Sequence, residues 1–455
     1  MSTVAHVPQR HVRGGGPPRV RGLIVSLLAI VAITLPLAGI FAVIRGAPVE
    51  LPAGLQRLLD QRSEGQRAVD AAQQRLAASP DDPQSISLLA LAYLQRVRET
   101  GDPSYYARAD ELVRRGLSLG PREITTLVAA GTLSLGRHDF ASALDYGTRA
   151  VAVAPARSVG HGIVTDSLVE LGRYDEAIVA AQRMVDLRPD LTSYSRVAYV
   201  RELHGDLAGA ITAMRAAVAA GNPASEATAW TEVQLGHLLF TTGDLAAAEE
   251  AYQSSRDRVR DYVYGNAGIA RIRAARGDLR GAAQLYEAAV TRLPLPEFAA
   301  ALGDVYAKLG DRTRAEQQYA VVAATSRLLS AGGVRTDIDQ ALFDADRDRN
   351  IPAALASARA EYELRTSIHV ADALAWAEYR AGDVAAAVRH SAAALRTGTQ
   401  DPLLLYRAGV IAEAAGDNAR ARALLSRSNE LNPRYSVLFA DDLAMRLQRL
   451  SATGQ

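Results

Sequence analysis

The sequence has no cysteine and a single lysine, Lys308. Without thiols there is no disulfide framework, no thiolate metal site, no cysteine nucleophile and no attachment point for a bacterial lipoprotein anchor. All other basic residues are arginine, and 51 Lys+Arg against 50 Asp+Glu leave a net charge of +1. Such a balance offers no global field to attract nucleic acid. Large rings are scarce as well: aromatics make up 5% of a chain that is 49% hydrophobic. Much of that apolar content is alanine, so a core has to come from close backbone approach and not from bulky side chains. HExxH and GxxxxGKS/T are missing too, and no serine is marked by a base and orienter. The expectation is a protein that is not an enzyme and needs no metal or cofactor.

What is present is a period. Gly172-Arg173-Tyr174-Asp175-Glu176-Ala177 returns as Gly205/Leu207/Ala210, Gly243/Leu245/Ala248, Gly277/Leu279/Ala282, Gly382/Val384/Ala387 and Gly416/Asn418/Ala421. Gly310/Arg312/Ala315 keeps the ends, and further copies are centred on Ala109, Ala143 and Ala354. The spacings lie near 34 residues, as in a stacked helix-turn-helix array. Twelve residues before nine of the alanines, and nineteen before Ala109, whose copy carries an insertion, stand Gly131, Thr165, Ala198, Gly236, Ala270, Gly303, Leu342, Ala375 and Gly409, and Ala90. Eight of these ten are Gly or Ala, as close helix packing demands. Twelve residues after, Pro121, Pro155, Pro189, Pro294 and Pro433 stop the second helix, because proline can neither donate nor continue.

This pattern, from about Pro80 to Pro433, resembles the tetratricopeptide repeat (TPR) family, and with the amino-terminal segment below its bacterial membrane-anchored type. The family's tryptophan near the start of the first helix is not kept; Leu127 and His161 stand there in the second and third copies. The resemblance implies an all-α, right-handed superhelical solenoid of about ten helix-turn-helix units, preceded by one transmembrane helix.

Residues 1–22 read as a basic disordered tail. Residues 23–44 carry no charge; as a helix they measure roughly 33 Å, enough for a hydrocarbon core of about 30 Å. Pro36 is tolerable within such a span. Arginines at 10, 13, 19 and 21 against 45, 57 and 62 favour a cytoplasmic amino terminus. The expected location is the cell membrane, single-pass, with the repeats outside the cytoplasm. A stiff linker, 45–54, leads to a capping helix, 55–79, the solenoid, 80–433, and a carboxyl-terminal cap and tail, 434–455, with its helix over Ser436–Leu450. An insertion at Arg98–Tyr105 lengthens the first inter-helix turn, and Gly332-Gly333 is the expected hinge.

Asp344, Asp346, Asp348 and Asn350 alternate like a calcium loop. Arg349 and Leu355 stand where that loop needs glycine and glutamate, so a turn between helices is the expectation. The better candidate is the groove. In the family, positions two, five, nine and twelve of each first helix face the concave side. That register selects Tyr199, Trp230, His237, Phe240, Tyr264, Arg271, Asp304, Phe343, Asp372, Trp376, Tyr379 and Tyr406 as a partner-binding face, with Glu202 on the same face of the fourth copy. Exposed Trp, Tyr and Arg in a concavity anchor protein partners. The expected function is a scaffold binding proteins or peptides; the alternative is a sensor whose groove takes a small molecule or peptide. The carboxylate-clamp residue set of chaperone-binding TPR domains is not found at these positions.

Overall fold

The computed structural model describes residues 63–452, and their regular structure is entirely α-helical, with no strand among the described residues. The proposed transmembrane segment, its basic tail, the linker and the start of the capping helix lie outside the described residues.

A lone helix, α1 (Glu64–Ala78), precedes ten helix pairs. The first four are α2 (Pro83–Thr100) with α3 (Ser104–Leu119), α4 (Ile124–Gly136) with α5 (Phe140–Val153), α6 (Ser158–Glu170) with α7 (Tyr174–Leu187), and α8 (Leu191–Leu203) with α9 (Leu207–Ala220). Next come α10 (Glu226–Thr241) with α11 (Leu245–Arg258), α12 (Val263–Ala275) with α13 (Leu279–Arg292), and α14 (Pro296–Lys308) with α15 (Arg312–Ala331). The last three are α16 (Asp337–Asp346) with α17 (Ile351–Leu364), α18 (Ile368–Arg380) with α19 (Val384–Ala394), and α20 (Pro402–Ala414) with α21 (Asn418–Leu431). A final helix, α22 (Ala440–Ala452), closes the series at twenty-two among the described residues.

The ten periodic alanines are all interior, none more than 2% exposed. Each sits where the second helix of a pair meets the first. Opposite, the small residues make room for a larger one a turn further along. A Cβ added at Gly236 would lie 2.4 Å from the Tyr252 ring, and one at Gly303 would lie 2.3 Å from the Tyr319 ring. No real Cβ tolerates such distances, so glycine and tyrosine are a matched pair.

The turns are equally determined. A glycine of positive φ ends the first helix in eight pairs (101, 172, 205, 243, 277, 310, 382 and 416), and His138 at φ 58° does so in the second copy. In the last six, and after His138, the next residue is an aspartate. Its backbone N–H returns to a carbonyl five residues back, as Asp206 does to Arg201 at 3.0 Å and Asp278 to Arg273 at 2.9 Å. Its carboxylate accepts from the first turn of the second helix, Asp206 from Gly209 and Asp278 from Gly281. One residue thus ends one helix and caps the next. At the far end, each proline follows directly on the cap residue, which it forces out of helical geometry: Ala154, Arg188, Leu293 and Asn432 have φ between −139° and −159°.

Two expectations are corrected. The insertion at 98–105 prolongs α2 to eighteen residues, ended by Gly101 at φ 66°, instead of lengthening a loop. The carboxyl-terminal helix begins at Ala440 and not at Ser436, because Tyr435 and Phe439 are drawn into the interior. Just past the glycine pair, the Arg335 N–H donates to the Arg137 carbonyl at 3.2 Å and the Arg335 carbonyl meets His138 Nδ1 at 2.7 Å.

That last contact belongs to a set. Arg365 pairs with Glu170 at 2.6 Å, the Ile368 N–H donates to the Tyr174 hydroxyl at 2.8 Å, and Asn432 Nδ2 donates to the Phe240 carbonyl at 2.7 Å. Their sequence separations, with that of His138 and Arg335, are 195, 194, 192 and 197 residues. In these four the solenoid touches itself after between five and six periods, and Arg98 meets Glu226 and Tyr264 after fewer, so its inner space is walled from several sides.

Replacing Gly236 by Ala should lower stability by about 1–3 kcal/mol through overpacking against Tyr252. The Tyr252→Ala background should relieve most of that increment; additive losses in denaturant melts of the four variants would contradict the pairing.

Candidate binding groove

The first helices of the fifth, sixth and seventh pairs, α10, α12 and α14, line a cavity of about 400 Å³. Six of the sequence-selected residues meet here: Trp230, His237, Phe240, Tyr264, Arg271 and Asp304. Trp230 stands edge-on to Tyr264 at 4.9 Å between ring centroids, and Tyr264 to Phe298 at 5.6 Å, forming an aromatic run across three repeats. The Arg271 guanidinium lies 4.0 Å above the Phe240 ring centroid. His237 Nδ1 meets the Tyr252 hydroxyl at 2.7 Å. Burial, assisted by the Arg271 charge, draws the His237 ring down to about 3, so it is neutral at physiological pH. Asp304 is already neutralised: Arg347 grips it with two bonds of 2.9 and 2.7 Å, and the Tyr319 hydroxyl donates at 3.0 Å.

The fourth wall comes from outside the repeats. Arg434, Tyr435, Ser436 and Val437, between α21 and α22, complete the lining. No periodic signal extends past Pro433, so this strap is not readable from the repeat register; Phe298 lies next to Glu297, which the same register places at the second position of its helix.

The other selected residues go elsewhere. Trp376 is 1% exposed, stacked on Tyr379 at 5.1 Å with Phe439 edge-on at 6.1 Å. Tyr406 stacks on Phe439 at 4.9 Å and donates to Asp442 at 2.5 Å. The strap and the start of α22 therefore occupy the inner face of the last two repeats. Asp372 is buried against Arg407, which at 2% exposure also holds Asp346 at 2.9 Å. Phe343 lines a second cavity, of about 460 Å³, beneath Arg347. Tyr199 lines a third, of about 550 Å³, with Glu170, Asp339, Arg365 and His369. Of the suspected calcium-loop residues, Asp346 is held by Arg407 and Asp348 by Arg380 at 3.0 Å. Among the described residues no helix is long and apolar enough to cross a membrane.

A family model described as tetratricopeptide repeat matches residues 165–226, 233–295 and 373–435. The chain carries tetratricopeptide repeats. Among solved structures, the TPR solenoid is similar to a human IFIT1 dimer with PPP-AAAA, at 13% identity over 81% of this chain and 87% of that one, TM-score 0.45. It is similar to the APC/C hetero-tetramer Cut9-Hcn1, at 12% identity over 87% and 94%, TM-score 0.36. It is similar to a tetratricopeptide repeat protein of Parabacteroides merdae, at 18% identity over 57% and 98%, TM-score 0.33. No curated protein matches the sequence.

One carboxylate on the TPR inner face is perturbed far enough to register in stability. Glu202 of α8 is pushed up to about 7, first by burial and then by Asp401. Its folded value lies above its unfolded one, near 4.5, so the stability it contributes is complete below about pH 4.5 and is lost as pH rises through 7. Glu202→Gln should melt like the parent at pH 5 and about 2 °C higher above pH 8, read by differential scanning fluorimetry. Equal melting at both pH values would remove the claim.

Proposed function

We propose that this TPR protein is a membrane-anchored scaffold that binds partner proteins or peptides through the open part of its groove. The carrying observation is the cavity across the fifth to seventh repeats, where Trp230, Tyr264 and Phe298 present aromatic surface that the chain's own strap flanks without filling. Large rings with a nearby guanidinium are the residue types on which binding hot spots concentrate. The charge-free stretch 23–44 supports anchoring in the cell membrane, and the arginine distribution supports repeats outside the cytoplasm. The tetratricopeptide repeats and the aromatic lining of the cavity support a scaffold role.

Trp230→Ala should reduce crosslinking to specific partners in intact cells at least about tenfold, because hot-spot truncations cost about 2 kcal/mol or more. The melting curve should stay within a few degrees of the parent. Trp376→Ala belongs to a different class: removing a buried ring costs about 3–5 kcal/mol of stability. A partner profile by mass spectrometry that Trp230→Ala leaves intact would reject the groove.

The cavity volume of about 400 Å³ also falls in the range of small-molecule sites, which favours a second reading as a sensor of a small molecule or peptide. A ligand at 100 times its Kd should stabilise the fold by about 2.7 kcal/mol. A metabolite library that produces no thermal shift would count against that reading.

A further inference from the structure

Half-buried arginines in this protein are, with few exceptions, neutralised by a carboxylate. Arg347 has Asp304, Arg365 has Glu170 and Glu361, Arg196 has Asp166, Arg446 has Glu413, and Arg258 has Glu232. Arg271 is different. It points into the cavity of the fifth to seventh repeats, stacked on Phe240 and beside the Tyr252 hydroxyl, and among the described residues no carboxylate pairs with it. Of the two acids lining the cavity, Asp304 is committed to Arg347. Glu297 lines the cavity too, but no hydrogen bond or ion pair joins it to Arg271 among the described residues. The guanidinium is held in place by its stacking and its charge is left over.

Resting on the groove reading above, we propose that Arg271 is the recognition point for an acidic side chain of a bound peptide, with apolar or aromatic neighbours seated on Trp230, Tyr264 and Phe298. The reasoning is charge complementarity in a partly dehydrated setting. A fixed, planar fork of donors suits a carboxylate in two-bond geometry, and loss of surrounding water strengthens that bond. The occupant is an internal residue of a peptide, because aromatic lining continues on both sides of Arg271, to Trp230 in the fifth repeat and Phe298 in the seventh. The strap residues Tyr435 and Val437 form the wall against which such a segment would lie.

The test is selection on purified full-length protein, in detergent micelles, from a random peptide library displayed with its carboxyl ends fused, so that free terminal carboxylates are absent. The expected result is enrichment of Asp or Glu next to an aromatic or branched apolar residue. For a selected peptide, exchanging that acid for its amide should weaken binding about tenfold or more in the parent and leave affinity unchanged in Arg271→Gln, whose fold is checked by its melting curve. Arg271→Glu should turn the selected preference from acidic to basic residues. Peptides selected without an acidic preference, or an acid-to-amide loss that persists in Arg271→Gln, would overturn the assignment while sparing the groove. A library that yields no binder at all would overturn both.

Discussion

The distance between paired helices is set by ten alanine side chains and the small residues facing them. Everything else in the solenoid follows from that spacing. Because the backbones approach so closely, a chain poor in aromatics can still bury a continuous interior, and its few rings are placed where glycine leaves a matching hollow. Tyr252 over Gly236 and Tyr319 over Gly303 are the clearest cases. The short turns obey the same economy: an aspartate such as Asp206 or Asp278 ends one helix with its backbone and begins the next with its side chain.

Local rules were written plainly in the sequence and distant ones were not. The period, the proline stops and the left-handed glycine turns all express constraints within a dozen residues, and the structure follows them. The aspartate caps obey an equally local rule, recognisable once the turn geometry is known. By contrast, the fate of the inner face depends on what crosses it. Trp376, Tyr406 and Asp372 occupy inner positions by register, yet Phe439, Asp442 and Arg407 cover or pair them. Phe439 and Asp442 lie beyond the last repeat, and no periodic argument reaches them. Trp230, Tyr264 and Arg271 lie in the section where the strap runs alongside instead of over the wall.

The arginine bias has a structural use. Arg407 spans Asp346 and Asp372 from different repeats, and Arg365 spans Glu361 of its own helix and Glu170 of the preceding superhelical turn while lying over Phe140. Planar donors on two edges make such three-body bridges possible, whereas an ammonium group presents only a point charge. The sole lysine, Lys308, makes a simple surface pair with Asp441. Arginine bridges of this kind hold repeats in register where the alanine-based interior supplies little directional preference.

The interval of 192–197 residues shared by four of the contacts between distant repeats carries a consequence for how such a gene can change. An open helical array can gain or lose a unit and simply become longer or shorter. Here, excising one unit from the middle would slide every later edge by one tooth against its lower neighbour, mismatching Glu170 with Arg365, Tyr174 with Ile368 and Phe240 with Asn432 together. The molecule is indexed like meshed gears, and its length is constrained by that meshing more than by the stability of any single unit.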